Sequence, residues 1–210
     1  MRFLPRLFHN NRAWAARQKG LDPEFFQRLC AIQRPRHLWI GCADSRVPAN
    51  EIVGLAPGEL FVHRNIANLV PERDPNCLAV LQYAVDVLGV GHVIVCGHYQ
   101  CGGVQAAFGP RLGEPLEGWI APIRRLHDAR RAELAELPDP DVRWRRLCEW
   151  NVAAQVRTLG SLPAVTAAWE RGQELVLHGW IYDLRDGLLR DLQVSVDRPS
   201  LVRIPASRRA

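Results

Sequence analysis

No stretch of this 210-residue sequence approaches the roughly 20 consecutive apolar residues that a membrane-spanning helix needs. The first residues also lack the apolar core and the small-residue cleavage site of a secretory signal. Six cysteines are too few for a disulfide-stabilised scaffold of this length. We therefore expect a cytoplasmic protein with reduced thiols and without a membrane partner.

The sequence likewise has no internal repeat and no Gly- or Ser-rich linker that would divide it. Its 15 prolines and 16 glycines are scattered, and its 48% hydrophobic and 23% charged residues are typical of a globular protein. The sequence predicts one domain over residues 1–210, with an N-terminal arm at 1–22 and a flexible tail at 198–210.

The formal net charge of +5 raises the question of a nucleic-acid partner. The excess arginines lie in predicted helices and in the C-terminal tail, at 124–131, 143–146 and 203–209. Arginines in such positions are typical of solvated helix surfaces, so the sequence predicts no nucleic-acid partner.

Alternating strands and helices define the predicted fold. Apolar and β-branched segments predict strands at 37–42, 59–64, 92–97 and 174–183. Apolar periodicity and capping residues predict helices at 23–33, 75–88, 117–137, 142–160 and 163–171. In the second of these helices, Asp74 is the expected N-cap and Gly89 follows the last apolar residue. The fold class is therefore α/β, a mostly parallel central sheet flanked by helices, with ligands binding beyond the carboxyl ends of its strands.

Two of the predicted strands end in cysteine-containing motifs, GCADSR at 41–46 and CGHYQCGG at 96–103. His98 and Cys101 are separated by two residues, so one turn can present both to one ion, and Cys42 can complete the set. Thiolate and imidazole ligands suit zinc, and three protein ligands leave a fourth tetrahedral position open for catalysis. The alternative is that these are buried core residues, but two such motifs at strand ends favour zinc. Asp44 and Arg46 flank this site and are spaced to pair with each other.

The remaining cysteines lack a metal-like spacing to a partner. They are predicted to be buried thiols: Cys30, Cys77, Cys96 and Cys148.

CADSR followed by GHYQCGG resembles the C-x-D-x-R and H-x-x-C motifs of the β-class carbonic anhydrases, and the similarity covers roughly residues 20–195. The resemblance implies one Zn²⁺ per chain, held by Cys42, His98 and Cys101 beside an Asp44–Arg46 dyad. The implied reaction is the reversible hydration of CO₂ to bicarbonate and a proton, with zinc hydroxide as the nucleophile. Positions matching the family's substrate pocket are Gln33, Phe61, Ile66, Val87 and Gly102.

The family resemblance also implies a homo-oligomer, a dimer or a tetramer, in which the N-terminal helical arm packs on a dimer partner and Gln33 faces that subunit. A membrane-surface helix is the alternative for residues 7–19. Because the apolar face of this segment is small, the dimer arm is favoured.

Trp39, Arg64 and Tyr182 supply an indole, a guanidinium and a phenol, all of which can donate to an oxyanion. They resemble the triad of the allosteric subgroup, in which bicarbonate binds away from zinc and stabilises an inactive state. In that state the Asp44–Arg46 pair breaks and Asp44 becomes the fourth zinc ligand. The alternative is that the three residues only pack in the core and at its rim.

Two other functions remain open at this point. A zinc hydrolase could act on CS₂ or COS instead of CO₂, because the sequence does not reveal pocket access. A bicarbonate-responsive zinc-binding module without turnover is the other alternative, although metal storage alone needs neither Asp44 nor Arg46.

Overall fold

The chain separates into two compact units, Met1–Arg34 and Pro35–Ala210. The computed structural model describes residues 3–31 and 33–198. Residues 199–210, the greater part of the predicted tail, lie outside the described residues.

The N-terminal unit consists of helices α1 (Pro5–Leu21) and α2 (Phe25–Ala31). Trp14 of α1 packs edge-on against Phe25 and Phe26, with ring centroids 6.3 and 5.6 Å apart. Every residue of α1 is described and none is buried, with Leu7 59% and Phe8 45% exposed. The helical character predicted for the arm is confirmed.

In the described part of the second unit, five strands form one sheet, in the order β2-β1-β3-β4-β5. They are β1 (His37–Cys42), β2 (Leu60–Asn65), β3 (His92–His98), β4 (Val176–Asp183) and β5 (Leu188–Asp191). The first four strands run parallel to their neighbours and β5 runs antiparallel to β4. The mostly parallel sheet flanked by helices is thus confirmed. Strand β5 was not predicted because its four residues contain no β-branched side chain.

Within residues 35–198, seven α-helices accompany these strands: α3 (Ala49–Val53), α4 (Pro75–Gln82), α5 (Gly102–Gln105), α6 (Leu116–Ala129), α7 (Arg131–Ala135), α8 (Pro140–Ser161) and α9 (Pro163–Glu170). The Asp74 side chain caps α4 as predicted, and a π-helical turn over Tyr83–Val87 prolongs this helix. The single helix predicted at 117–137 is wrong. The backbone of Arg130 leaves the helical region at φ −110° and ψ 15°, which separates α6 from α7 although the apolar periodicity continues.

The two faces of the sheet pack against different helices. Leu38 and Val93 point to the face covered by α4, α8 and α9, whereas Trp39 and Ile94 point to the face covered by α3. Helix α8 lies unusually close to β3, because a Cβ atom on Gly97 would lie only 2.5 Å from Cγ2 of Val152. This close approach brings α8 beside the segment that follows β3. Among the described helices, none is both long and apolar enough to cross a bilayer.

Candidate metal centre

The sheet brings the two cysteine motifs together at the carboxyl ends of adjacent strands. Cys42 is the last residue of β1 and His98 the last of β3. Because β1 and β3 pair directly, with Gly41 opposite Cys96, residues far apart in the sequence meet at one edge. Cys101 lies three residues beyond the end of β3 and is the N-cap of α5.

The imidazole of His98 is oriented as a ligand. Its Nδ1 atom lies 2.9 Å from the main-chain carbonyl oxygen of Tyr99. Since a carbonyl oxygen only accepts, Nδ1 carries the proton and Nε2 presents a lone pair. Nε2 is buried and has no hydrogen-bond partner among the described residues. A buried polar atom of this kind calls for an explanation, and a metal ligand provides one.

The two thiols complete the group. Sγ of Cys42 and Sγ of Cys101 lie 3.9 Å apart, and both lie within 4.8 Å of a ring nitrogen of His98. Tetrahedral zinc with Zn–S bonds of about 2.3 Å places two sulfur ligands about 3.8 Å apart. The donor set and its spacing therefore fit zinc. Within residues 3–31 and 33–198, this is the one such group of three metal-binding side chains.

The two thiols share a hydrogen bond, which affects their acidities in opposite directions. The interaction lowers the pKa of Cys42 and raises that of Cys101, while burial opposes ionisation of both. The pair therefore has one sulfur disposed to be a thiolate, the form that binds metal. By contrast, burial raises the pKa of Cys77 to about 11 and that of Cys148 to about 12.

One of the four cysteines predicted to be buried is exposed. Cys77, Cys96 and Cys148 are buried free thiols, but Cys30 is exposed because α2 buries none of its side chains.

Asp44 and Arg46 form a bidentate ion pair beside the three ligands. Nε and one terminal nitrogen of Arg46 donate to the two carboxylate oxygens of Asp44 at 2.9 and 2.7 Å. These hydrogen bonds hold the pKa of Asp44 well below its usual range. Oδ2 of Asp44 also lies 3.7 Å from Nε2 of His98. The structure thus places an ionised carboxylate next to the ligand group.

The predicted pocket residues occupy different surroundings. Ile66, 43% exposed, lies against Gly103, just beyond Cys101, and Gly102 begins α5. Phe61 packs against Tyr83 with ring centroids 5.9 Å apart, and Val87 at the end of the π-helical turn is 64% exposed.

Of the residues predicted for the pocket, Gln33 belongs to the N-terminal unit. Its side chain is exposed.

The three residues of the predicted bicarbonate triad share one face of the sheet. Gly41, two residues after Trp39, pairs with Arg64, and Tyr182 pairs with His98. Trp39 is buried and packs edge-on against Trp180, with centroids 6.4 Å apart.

The Arg64 side chain donates to the main-chain carbonyls of Cys42, at 2.9 Å, and of Asp44. Sequence reasoning missed this link to the metal-binding segment, because main-chain acceptors leave no motif.

Comparisons with known proteins agree with this geometry. A sequence model of the family described as carbonic anhydrase matches residues 37–189. A carbonic anhydrase from Emericella nidulans is 47% identical over 197 residues, which cover 94% of this chain and 86% of the relative.

Solved structures show the same likeness. A Coccomyxa β-carbonic anhydrase in complex with acetazolamide matches with a TM-score of 0.90 and 38% identity, covering 94% of this chain and 90% of that one. One of two tetrameric β-carbonic anhydrases from Sordaria macrospora matches with a TM-score of 0.87 and 38% identity, covering 91% and 97%. The family match, the fold and the Cys-His-Cys group agree, and this chain belongs to the β-class carbonic anhydrase family.

Proposed function

We propose that this chain hydrates CO₂ reversibly at a zinc ion held by Cys42, His98 and Cys101. The observation that carries the proposal is Nε2 of His98, which is buried and has no hydrogen-bond partner among the described residues. It lies close to Sγ of Cys42 and Sγ of Cys101, which are 3.9 Å from each other. When bound, zinc supplies a coordinated water whose pKa is lowered towards neutrality.

Asp44 is the residue that orients the attacking oxygen in this proposal. A carboxylate held ionised by Arg46 can only accept hydrogen bonds, so a water molecule beside Oδ2 must donate to it. This donation turns a lone pair of the water oxygen away from Asp44 and towards incoming CO₂. Arg46 keeps the carboxylate in place through two side-chain hydrogen bonds and one from its own main-chain N–H, at 2.9 Å.

The substrate pocket proposed for CO₂ is lined by apolar side chains. Ile66 lies beside the segment that carries Cys101, and Phe61 and Val87 complete the pocket in our proposal, with Gly102 leaving space at its base. An apolar pocket suits an uncharged substrate and favours release of charged bicarbonate. We propose that Gln33 faces this pocket in the assembled enzyme.

The decisive experiment is stopped-flow CO₂ hydration at mildly alkaline pH, on chelated and zinc-restored samples of one preparation. We expect rapid hydration to return with about one zinc per chain, and Asp44→Asn to lose most activity while keeping zinc. Zinc binding without hydration would overturn the proposal and favour COS or CS₂ hydrolysis, or a binding module.

We further propose that bicarbonate inhibits the enzyme at Trp39, Arg64 and Tyr182. Support comes from their common face and from the hydrogen bonds of Arg64 to the carbonyls of Cys42 and Asp44. An anion that draws on the Arg64 guanidinium competes with these carbonyls, so binding there is coupled to the segment carrying Asp44. In the inhibited state proposed, the Asp44–Arg46 pair opens and Asp44 takes the fourth ligand position.

We propose that the protein is a homo-oligomer in the cytoplasm. The exposed apolar side chains of α1, including Leu7 and Phe8, support an arm that packs on a partner subunit in a dimer or tetramer. Six free cysteines support a reducing, cytoplasmic compartment. We propose that the two units work as one catalytic domain in that oligomer.

A further inference from the structure

Helix α8 contacts the segment between His98 and Cys101 from outside the ligand group. Nε1 of Trp144 donates a hydrogen bond to the main-chain carbonyl of Cys101, with a nitrogen–oxygen distance of 3.0 Å. The main-chain N–H of Gln105 donates to the same oxygen at 2.9 Å. Both acceptor sites of this carbonyl are therefore used, which fixes the peptide plane that follows the Cys101 side chain.

A second contact from α8 holds the other end of the segment. The Tyr99 hydroxyl donates to Oε1 of Glu149 at 2.6 Å, and the Arg145 guanidinium lies 3.6 Å from the Tyr99 ring centroid. The carbonyl of Tyr99 accepts the Nδ1–H of His98. Helix α8 is thus connected to both ligands of the segment, at Cys101 directly and at His98 through Tyr99.

The segment needs external support because its backbone is unusual. Gln100, between the two ligands, has φ of +59°, in the left-handed region that non-glycine residues rarely occupy. Such a conformation persists only where the surrounding structure holds it. The carbonyl of Gln100 accepts from the Arg46 guanidinium at the long distance of 3.4 Å.

We propose that Trp144 is a positioning residue that keeps Cys101 and His98 in their ligand arrangement. This inference rests on the proposed function, in which these residues bind zinc. Trp144 acts through the Cys101 carbonyl, to which its indole N–H donates. In this proposal the indole N–H keeps the segment close to the geometry that the metal requires before the metal binds.

Without this donor, part of the metal-free population leaves the ligand geometry. The apparent dissociation constant for a metal rises by the inverse of the fraction that stays competent. Loss of one neutral hydrogen bond changes such an equilibrium by about fivefold. This factor is the upper limit for the rise in the apparent dissociation constant. We therefore expect Trp144→Phe, which keeps an aromatic ring, to weaken zinc binding by up to about fivefold and to speed zinc loss to a chelator.

Trp169→Phe is the matched control. Trp169 belongs to α9, is also half-buried and packs against the hydrophobic core. Its Nε1 donates to the main-chain carbonyl of Leu175 at 2.8 Å. Both variants lose one indole-to-carbonyl hydrogen bond, so a similar loss of stability is expected in each. Only Trp144→Phe should alter metal binding.

The test measures chelator competition for Zn²⁺ and the absorption spectrum of the Co²⁺-substituted protein, for wild type and both variants. We expect weaker Zn²⁺ binding and altered thiolate-to-Co²⁺ and ligand-field bands in Trp144→Phe alone. Equal affinities and spectra in all three proteins would overturn the inference. A wild type that binds no Zn²⁺ would instead overturn the proposed function.

Tyr99→Phe provides a second variant if Trp144→Phe fails to fold. This substitution removes the Tyr99 hydroxyl, and with it the hydrogen bond to Glu149. Glu149 keeps its ion pair with Arg146 at 2.8 Å. We expect the same direction of change in Zn²⁺ affinity and Co²⁺ spectrum. Unchanged values in a folded Tyr99→Phe protein would count against the role of α8.

Discussion

Oδ2 of Asp44 lies 3.7 Å from Nε2 of His98 while both carboxylate oxygens are bound by Arg46. The carboxylate is thus near enough to the ligand group to join it after a small rotation, and the guanidinium restrains that rotation. In the function proposed above, Arg46 therefore keeps Asp44 as a hydrogen-bond acceptor and away from the fourth ligand position.

Arg46→Gln tests this restraint. We expect the freed Asp44 to move towards the metal and CO₂ hydration to fall by roughly 10- to 100-fold, with zinc content unchanged. Arg185→Gln, which breaks an exposed ion pair with Asp141, serves as the control and should keep its activity. A wild-type rate in Arg46→Gln would show that the dyad is not needed.

Bicarbonate inhibition is best tested away from Arg64, because that side chain also holds the carbonyls of Cys42 and Asp44. Trp39→Phe and Tyr182→Phe each remove one donor, and we expect the inhibition constant for bicarbonate to rise about tenfold. Trp180→Phe, on the same face, is the control. Inhibition that stays the same in both triad variants would rule out the proposed site.

Gly103 leaves the space in which Ile66 lies. A Cβ atom at this position would lie 2.7 Å from Cγ2 of Ile66 and 3.1 Å from Cβ of Ala67. We expect Gly103→Ala to displace Ile66, lower kcat/KM for CO₂ severalfold and reduce stability by about 1–3 kcal/mol.

Gly113→Ala is the control for this change, because an added Cβ there meets nothing within 4 Å. The double variant Gly103→Ala/Ile66→Ala should recover part of the lost stability. If Gly103→Ala matches wild type in denaturant melts and in kinetics, the close packing of Ile66 on Gly103 contributes neither to stability nor to CO₂ hydration.

A row of imidazoles at the amino ends of the strands predicts acid sensitivity. Nδ1 of His92 lies 3.1 Å from Nε2 of His178, and the His37 ring stacks on His92 at 5.4 Å. Burial, and then the neighbouring imidazoles, lower the pKa of both His92 and His178, while Asp191 has a smaller opposing effect on His178.

Because these pKa values are lower in the folded state than the unfolded value of about 6.5, the unfolded chain takes up protons first. The stabilising contribution is therefore complete above about pH 6.5 and is lost as the pH falls through the folded pKa values. We expect urea midpoints to drop between pH 7.5 and 5.5, and to drop less in His178→Gln than in wild type. The urea midpoint of that variant should still drop to some extent, because burial also lowers the pKa of His63. Parallel pH profiles for the two proteins would contradict this assignment.

The sequence was sufficient to predict that Cys42, His98 and Cys101 come together, because chemistry and topology agree at these three residues. Parallel strands place their carboxyl ends on one edge, so two motifs at strand ends had to meet once the sheet order put β1 beside β3. Asp44 and Arg46 were predictable for a local reason, since a two-residue spacing in a turn lets them pair.

Other features had no pattern to reveal them. Trp144 looks like any half-buried helix residue, because an indole that donates to a distant main-chain carbonyl leaves no spacing signal. Ala67 and Asn68 both have positive φ, at 62° and 50°, although neither is glycine, and Asn151 of α8 donates to the Ala67 carbonyl. These conformations depend on tertiary contacts that only the folded chain provides.

The position of α8 has a consequence for how the protein is made. The chain leaves the ribosome from its N-terminus, so Cys42, His98 and Cys101 emerge well before Trp144 and Glu149. A nascent chain that has not yet reached Ser161 therefore offers two thiols and an imidazole without the helix that arranges them. Metal captured at that stage would exchange readily, and stable loading is expected only after the second half of the chain has been translated.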